Sequence, residues 1–329
     1  MFDNRVIYIS ELGYPDGYIK IDEHRLPQAY ISELNWFVSS YSTLKRHVQE
    51  NDILIFQTPT DDELYNLKII ESYIDTNFVF ITQESCIFDW YDWTAEEQAL
   101  YIKLLDKCNA FLYHSEYDKQ VMTAYCDNFV YYPGCTNQFY EVDKNFEDGE
   151  YISIPGPIKR YQRGMLSHKL AVDSIPNGHQ RIFSMTYKRP TQAGDKLLSF
   201  PDNYKLDRIQ HLDYMSKDKW KEFIYGSKFG IDMNRDFSGG NVCIEYAALG
   251  TPLVGNINLD YQRNLFPDIS FEFNDTENIK KAIKRLNTDK DFYNYVKHTA
   301  IQRVKDIYSS KVVTEKFKSD LMMKLTVKL

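Results

Sequence analysis

Apolar runs of four to six residues recur along this chain, each followed by a longer stretch with helical spacing. In the first half the runs are VIYIS (6–10), ILIFQ (53–57), FVFIT (78–82), AFLYH (110–114) and FVYYP (129–133). They are rich in β-branched and aromatic residues and nearly continuous rather than alternating. That is the pattern of strands covered on both faces. Between them 27–48, 61–74, 94–107 and 116–125 read as helices, and YDKQVMTAYC carries apolar positions at helical spacing. Strands alternating with helices predict a parallel α/β sheet.

The segment NFEDGEYISIPG (145–156) holds a charged Asp148-Gly149 turn and then a new strand, so a domain boundary is expected near 147. The rhythm then repeats. Strands are expected at YISIP (151–155), RIFSM (181–185), RIQHL (208–212), KFGIDM (228–233), PLVGN (252–256) and SFEF (270–273). Helices are expected at 163–173, 217–226, 241–249, 276–287 and 290–309, with a closing helix at 311–326. The expected organisation is α/β, with two Rossmann-like, doubly wound domains, 1–147 and 148–310, facing a central cleft. Ligands of such sheets bind beyond the carboxyl ends of the strands.

Charge changes this picture. The net charge of −8 over 329 residues is unevenly spread. Residues 1–150 hold 10 Lys and Arg against 27 Asp and Glu, a balance of −17; residues 151–329 hold 29 against 20, a balance of +9. A basic half suits an anionic ligand and an acidic half does not. The five cysteines, at 86, 108, 126, 135 and 243, are scattered with no C-x-x-C pair, which points away from a zinc site or a disulfide framework. No run of 18 apolar residues and no secretory leader is visible, so a cytoplasmic protein is expected.

Several motifs are absent: G-x-G-x-x-G, Walker A, H-E-x-x-H and G-x-S-x-G. A nucleotide-dependent dehydrogenase, a P-loop NTPase, a zinc protease and an α/β-hydrolase lose support accordingly. The one D-x-D, Asp289-Lys290-Asp291, sits between two helices and reads as capping.

The stretch DFSGGNVCIEYAALGTPLVG (236–255) carries chemistry. A strand enters a loop ending in Gly239-Gly240; Asn241 is the expected N-cap of helix 241–249, and Gly250 with Pro252 ends that helix. Glycines at a helix start let an anion approach backbone N–H groups. Glu245, just over one turn in, lies too deep to cap them. It reads either as an exposed helix residue or as an acceptor for paired hydroxyls such as a ribose diol.

This stretch resembles the donor-binding motif of GT-B glycosyltransferases, especially the group-1 (GT4-like) families. Gly240 matches the loop glycine and Glu245 the second glutamate of that motif; Ala247, Gly250, Pro252 and Val254 match its tail. The resemblance implies that Glu245 holds the ribose of a nucleotide sugar while the N–H groups of Asn241 and Val242 meet the diphosphate or the sugar. The first glutamate, which contacts the donor sugar in that family, is here Phe237; Asp236 or Arg235 would take its place after a loop shift. The stretch 152–171, ISIPGPIKRYQRGMLSHKLA, is similar to the first strand and basic loop of the family's C-terminal domain. By that likeness Arg163, with Lys159 or Arg160, neutralises the diphosphate. Tyr214 and Met215, after the third strand, would pack a base.

On the acceptor side the resemblance places Gly13 and Asp16 in the loop GYPDGY (13–18) near the reaction centre. In FITQESCIFDWYDW (80–93), Trp90 and its aromatic neighbours would stack on a ligand, and Glu84 or Asp89 would act as general base in an inverting enzyme. His114 is a further acceptor-side candidate; Gln83-Glu84 stand where several relatives keep a histidine. The segment 311–329 would cross back onto the first domain. The expected donor is a UDP- or GDP-type sugar, with no metal, and the acceptor a glycan, a small molecule or modified DNA. Compact phage-type enzymes that glucosylate hydroxymethylated DNA bases have this size, but a −17 first half disfavours a duplex, whose phosphates need cations. A non-catalytic nucleotide-sugar-binding module and a 2-epimerase on the same fold are the other readings.

Overall fold

The structure is a computed structural model that describes residues 5–11, 14–19, 28–59, 62–81, 93–136, 144–155, 165–176, 180–185, 208–212, 215–234 and 240–326. The chain forms two compact units: one of Met1–Asn137 with Tyr308–Leu329, the other of Gln138–Ile307.

The first unit is a seven-stranded sheet in the order β2-β3-β1-β4-β5-β6-β7. Its strands are β1 (Val6–Ile9), β2 (Gly17–Tyr18), β3 (Phe37–Ser39), β4 (Ile53–Gln57), β5 (Asn77–Ile81), β6 (Ala110–Tyr113) and β7 (Phe129–Tyr131). All pairings are parallel except that of the short edge strand β2. Alternate residues of each strand serve opposite faces. Tyr8, Val38, Ile55 and Val79 pack on one side with α1 (Gln28–Glu33) and the closing helix. Ile7, Leu54, Phe56 and Phe80 pack on the other with α2 (Glu63–Glu71) and α3 (Ala95–Lys107). Two covered faces explain why the strand sequences read as continuous apolar runs. Helix α3 begins with Thr94 and Glu97 in a reciprocal capping box. Helix α4 (Glu116–Met122) follows β6.

One expected element divides. The stretch 27–48 is a short helix and then β3, followed by a turn of 3₁₀ helix at Leu44–Arg46. Asn35 adopts a left-handed conformation (φ 53°), and the Trp36 N–H reaches back to Ile31 O at 3.0 Å, closing α1 as glycine usually does. The freed Phe37-Val38 pairs with Ile7-Tyr8, so sheet pairing overrides the helical spacing.

The second unit is a six-stranded, all-parallel sheet in the order β10-β9-β8-β11-β12-β13. The strands are β8 (Tyr151–Ile154), β9 (Arg181–Met185), β10 (Ile209–Leu212), β11 (Ser227–Asp232), β12 (Leu253–Asn256) and β13 (Ser270–Phe271). Counted within the unit this is the 3-2-1-4-5-6 order of dinucleotide-binding sheets, whose topological switch lies between β8 and β11. The helices are α5 (Met165–Ser174), α6 (Lys217–Gly226), α7 (Asn241–Ala248), α8 (Asp260–Leu265), α9 (Thr276–Thr288) and α10 (Lys290–Tyr308). The D-x-D is a junction between helices: Asp289 accepts from Phe292 N at 2.9 Å and from Arg285 Nε at 3.0 Å.

The closing helix α11 (Ser310–Thr326) belongs to the first unit, where Val313, Phe317, Leu321 and Leu325 are buried beside Tyr30, Trp36 and Tyr132. Its five lysines, counting Lys328, join the acidic unit, and the acidic segment 138–150 joins the other. Counted by unit, the first holds 14 Lys and Arg against 24 Asp and Glu, a balance of −10. The second holds 25 against 23, a balance of +2. The basic half expected from the linear sequence is therefore close to neutral as a folded body.

A buried lysine ties the second unit together at the far ends of α6 and α7. Lys144 Nζ donates to Ser227 O and to Thr251 Oγ1 (2.7 Å), and Thr251 Oγ1 donates to Ile224 O at 3.1 Å. These oxygens close the end of α6 and the turn after α7. Burial lowers the Lys144 ammonium to about 7, with Asp148 opposing and Lys297 assisting. An unfolded lysine titrates near 10.5. Between those values the unfolded chain binds more protons than the folded one, so stability rises with pH. Urea unfolding between about pH 7 and 9 should show this upward slope, and Lys144→Met should flatten it.

Gly230, in mid-β11, is where α7 meets the sheet. A Cβ there would lie 2.5 Å from Tyr246 Cε1 and 2.6 Å from Leu253 Cδ1. Gly230→Ala should cost about 1–3 kcal/mol through overpacking, read as a lower urea midpoint for the second unit.

Candidate functional site

Helix α7 is built to be held tightly on one side and left open along one stripe. Cys243, Ile244, Tyr246, Ala247 and Ala248 are buried; Asn241, Val242 and Glu245 are partly exposed. These three are spaced i, i+1 and i+4, so they share one helical face. Three residues expected to contact a donor are thus brought together on the only open side of α7, at its first turn. Glu245 lies on that open stripe and does not intrude into the core.

The start of the helix differs from expectation in one detail. Gly240, not Asn241, is the N-cap, in a left-handed conformation (φ 85°, ψ 61°) with no side-chain cap. Asn241 is the first helical residue. Gly240 has no side chain to cap the first-turn N–H groups, which carry the positive end of the helix dipole. Cys243 N donates to Gly240 O at 2.9 Å, so the amides nearest the helix start are those of Asn241 and Val242. The other end closes as the sequence implies. Gly250 (φ 63°) donates to Ala247 O at 3.1 Å and Thr251 N to Tyr246 O at 2.9 Å, a Schellman pair.

Three bonds set α7 and its surroundings on the switch. Tyr246 Oη and Ser153 Oγ of β8 are 2.8 Å apart, and burial holds the Tyr246 phenol well above its ordinary range. Met233 N, just past β11, donates to Ser167 Oγ in the first turn of α5 at 2.9 Å. Asn256 Nδ2, ending β12, donates to Asn234 O at 2.7 Å. The carboxyl ends of β11 and β12, the start of α5 and the body of α7 are thereby fixed to one another at the switch point.

Glu245 has a partner that sequence reasoning missed. Trp220 Nε1 of α6 donates to Glu245 Oε2 at 2.8 Å. The stretch KDKWKEF reads only as an amphipathic helix, and nothing in its spacing says that the indole N–H finds a carboxylate 25 residues on. Ser153 and Gly230 were also missed, although a serine within YISIP and a glycine within KFGIDM mark places where another element comes close. Met215, expected near a base, is half-buried and stands just before α6.

The first unit places two of its candidates. Asp16 Oδ1 accepts from Thr43 Oγ1 (3.0 Å) and Ser40 N (3.2 Å), and Oδ2 lies 3.0 Å from His47 Nε2. Burial alone would raise this carboxyl, but the bonds from Thr43, His47 and Ser40 outweigh it and hold it below the usual range. His114 ends β6 and is buried, with Nε2 3.6 Å from Asp118 Oδ2. Asp118 is itself fully buried and accepts from Ser115 Oγ at 2.7 Å. Gly13, Glu84, Asp89, Trp90, Lys159, Arg160, Arg163, Tyr214 and Asp236 lie outside the described residues, as does Phe237. Among the described residues no group of three or more His, Cys, Asp or Glu is placed to hold a metal ion, and no helix is long and apolar enough to cross a membrane.

No family model matches the chain, and no curated protein matches it by sequence. Solved structures do match. Sucrose-phosphate synthase from Thermosynechococcus elongatus aligns with a TM-score of 0.67 at 11% identity, over 99% of this chain and 100% of that one. The UDP-forming α,α-trehalose-phosphate synthase from Burkholderia xenovorans gives 0.64 at 13% identity, over 86% of this chain and 76% of that one. A TarM mutant from S. aureus, in complex with fondaparinux, α-GlcNAc-glycerol and UDP, gives 0.62 at 11% identity over 85% of this chain. This chain spans 58% of the length of TarM. All three are GT-B glycosyltransferases. The fold is GT-B.

In a GT-B frame, the helix that the sequence singled out starts beyond β11, at the switch point of the second sheet, where doubly wound sheets bind ligands. Gly240 carries the conformation on which this arrangement rests. A Cβ there would sit 3.3 Å from Cys243 Sγ, and the left-handed backbone disfavours any side chain. Gly240→Ala should cost about 1–2 kcal/mol, measured by thermal or urea unfolding.

Proposed function

We propose that this protein is a glycosyltransferase that moves a hexose from a nucleoside-diphosphate sugar of UDP or GDP type to an acceptor hydroxyl. The observation that carries the reading is Glu245 on the single open stripe of α7, next to an uncapped helix start at the switch point of a GT-B sheet. The neighbours lend support, one being UDP-forming and another crystallised with UDP.

In this reading Glu245 accepts hydrogen bonds from the ribose hydroxyls. The amides of Asn241 and Val242, with Arg163 and Lys159 or Arg160, take up the charge that grows on the diphosphate as the anomeric C–O bond breaks. Preorganised donors aimed at developing charge are usually the largest single contribution to such a transfer. Tyr214 and Met215 pack the base, and Asp236 reaches the sugar. The acceptor oxygen forms the new bond to the anomeric carbon and gives its proton to a base, with Gly13, Trp90 and His114 lining the acceptor side. Of the candidate bases, Asp16 is the least suited. Its carboxyl is held below the usual range by three donors, whereas a general base works best with a pKa near the operating pH. Glu84 and Asp89 are the better candidates. Cationic side chains and a helix start supply the neutralisation that a metal gives other transferases, so turnover without added metal is part of the proposal. A balance of −10 on the first unit favours a glycan or small-molecule acceptor over duplex DNA.

A thermal-shift screen of nucleotides and nucleotide sugars tests the donor. A ligand at 100 times its Kd adds about 2.7 kcal/mol of stability. Glu245→Ala should abolish most of that shift, measured against the variant's own unliganded Tm, because the substitution also leaves the Trp220 indole N–H unpaired at a cost of about 1–3 kcal/mol. Donor hydrolysis or transfer should persist in EDTA. A donor that binds tightly but is never turned over with any acceptor would reduce the protein to a binding module.

A further inference from the structure

We infer that Trp220 is a positioning residue for the nucleotide: its indole N–H holds the Glu245 carboxylate in the orientation that reads a ribose diol. The inference rests on the function proposed above and deepens it.

The indole is not a base-stacking platform. Trp220 is only 8% exposed. One face lies against Phe223, with centroids 5.5 Å apart and planes at 27°, and its edge meets Tyr246 at 6.4 Å and 70°. Its one polar atom, Nε1, donates to Glu245 Oε2 at 2.8 Å. Pairing a buried indole N–H is worth more than leaving it bare, and here the partner is the one carboxylate on the open stripe of α7.

That bond does two things to Glu245. Glutamate is among the side chains with the most rotamer freedom to lose, and fixing one oxygen beforehand removes much of that loss from the binding step. With one oxygen already accepting from an N–H, what this carboxylate takes from a ligand is further donors, such as hydroxyls. A vicinal diol fits such an oriented acceptor; a 2′-deoxy nucleotide offers it one donor fewer.

The frame behind the pair is rigid enough to pass this orientation on. Helix α6, which carries Trp220, is closed at its end by Tyr151 Oη donating to Phe223 O at 2.7 Å and by the Lys144–Thr251 arrangement. Helix α7, which carries Glu245, is held by Tyr246 to Ser153. The two helices therefore keep their spacing without the Trp220–Glu245 bond, and the bond is left to orient the carboxylate.

The test compares UDP with 2′-deoxy-UDP by titration calorimetry on the full chain. Wild type should prefer the ribonucleotide. Trp220→Phe, which keeps the ring against Phe223 but removes the N–H, should weaken UDP by about tenfold and bring the preference close to one. Loss of packing alone would weaken both ligands together. If Glu245→Ala weakens UDP while Trp220→Phe leaves both the affinity and the preference unchanged, the positioning role is overturned and the reading of Glu245 stands. If Glu245→Ala changes nothing, the donor reading falls with it. A second measurement does not depend on the folding of the Trp220 variant. The chain has four tryptophans, so ¹⁵N-tryptophan labelling gives a short indole spectrum. One indole resonance should move in Glu245→Gln and again on adding UDP to wild type; four unmoved resonances would overturn the inference.

Discussion

The second unit depends on one close approach. Tyr246 lies over Gly230 at a distance that leaves no room for a β-carbon, and its hydroxyl reaches past β11 to Ser153 on β8. A tyrosine this deep gains by finding a polar partner, because an unpaired buried hydroxyl costs about 1–3 kcal/mol. Meeting that need draws α7 down across the two strands that flank the switch point. The helix is then fixed in height and rotation. Its rotation decides that Asn241, Val242 and Glu245 face outward, and its height decides where the first-turn amides sit. What a ligand would meet at this site follows from a glycine and a tyrosine that never touch it.

Polar groups buried away from the site serve the same end. Lys144 carries no carboxylate partner in its described bonds; it is satisfied by the oxygens that end α6 and follow α7. Burying an ammonium is costly unless its donors are all used. The arrangement uses them on carbonyl and hydroxyl oxygens that would otherwise be orphaned where helices end. The result is a brace at one end of α6 and α7, while Trp220 and Glu245 join the same helices farther from that end.

Much of the architecture was legible in the sequence because both sheets are covered on both faces. Continuous apolar runs such as ILIFQ and AFLYH are what two-sided burial requires, and the structure places them as β4 and β6 within a residue of expectation. The α7 segment was legible for a local reason: Gly240, Gly250 and Pro252 report backbone conformation, and backbone conformation is set by near neighbours in sequence. The stretch 27–48 was misread because its spacing fits a helix, while Phe37-Val38-Ser39 gains more by pairing with β1. Pairing of that kind has no trace in a window of sequence. The charge split was legible only as a linear count. It shrank from +9 to +2 when α11 crossed to the first unit and the acidic segment before β8 stayed with the second.

The sequence alone thus determined the fold class, the order of strands and helices apart from β2 and β3, and one helix with an anion-ready start and a glutamate one turn in. These depend on periodicity and on the φ preferences of a few residues, which act over short stretches of chain. Only the tertiary structure decided which side of α7 is open and that Gly240, not Asn241, is its N-cap. It also decided that Glu245 answers to Trp220 and that Asp16 is held by three donors. Those facts depend on distances between residues far apart in the chain, such as the 2.8 Å from an indole on α6 to a carboxylate on α7. Packing sets such distances, and no local pattern carries them.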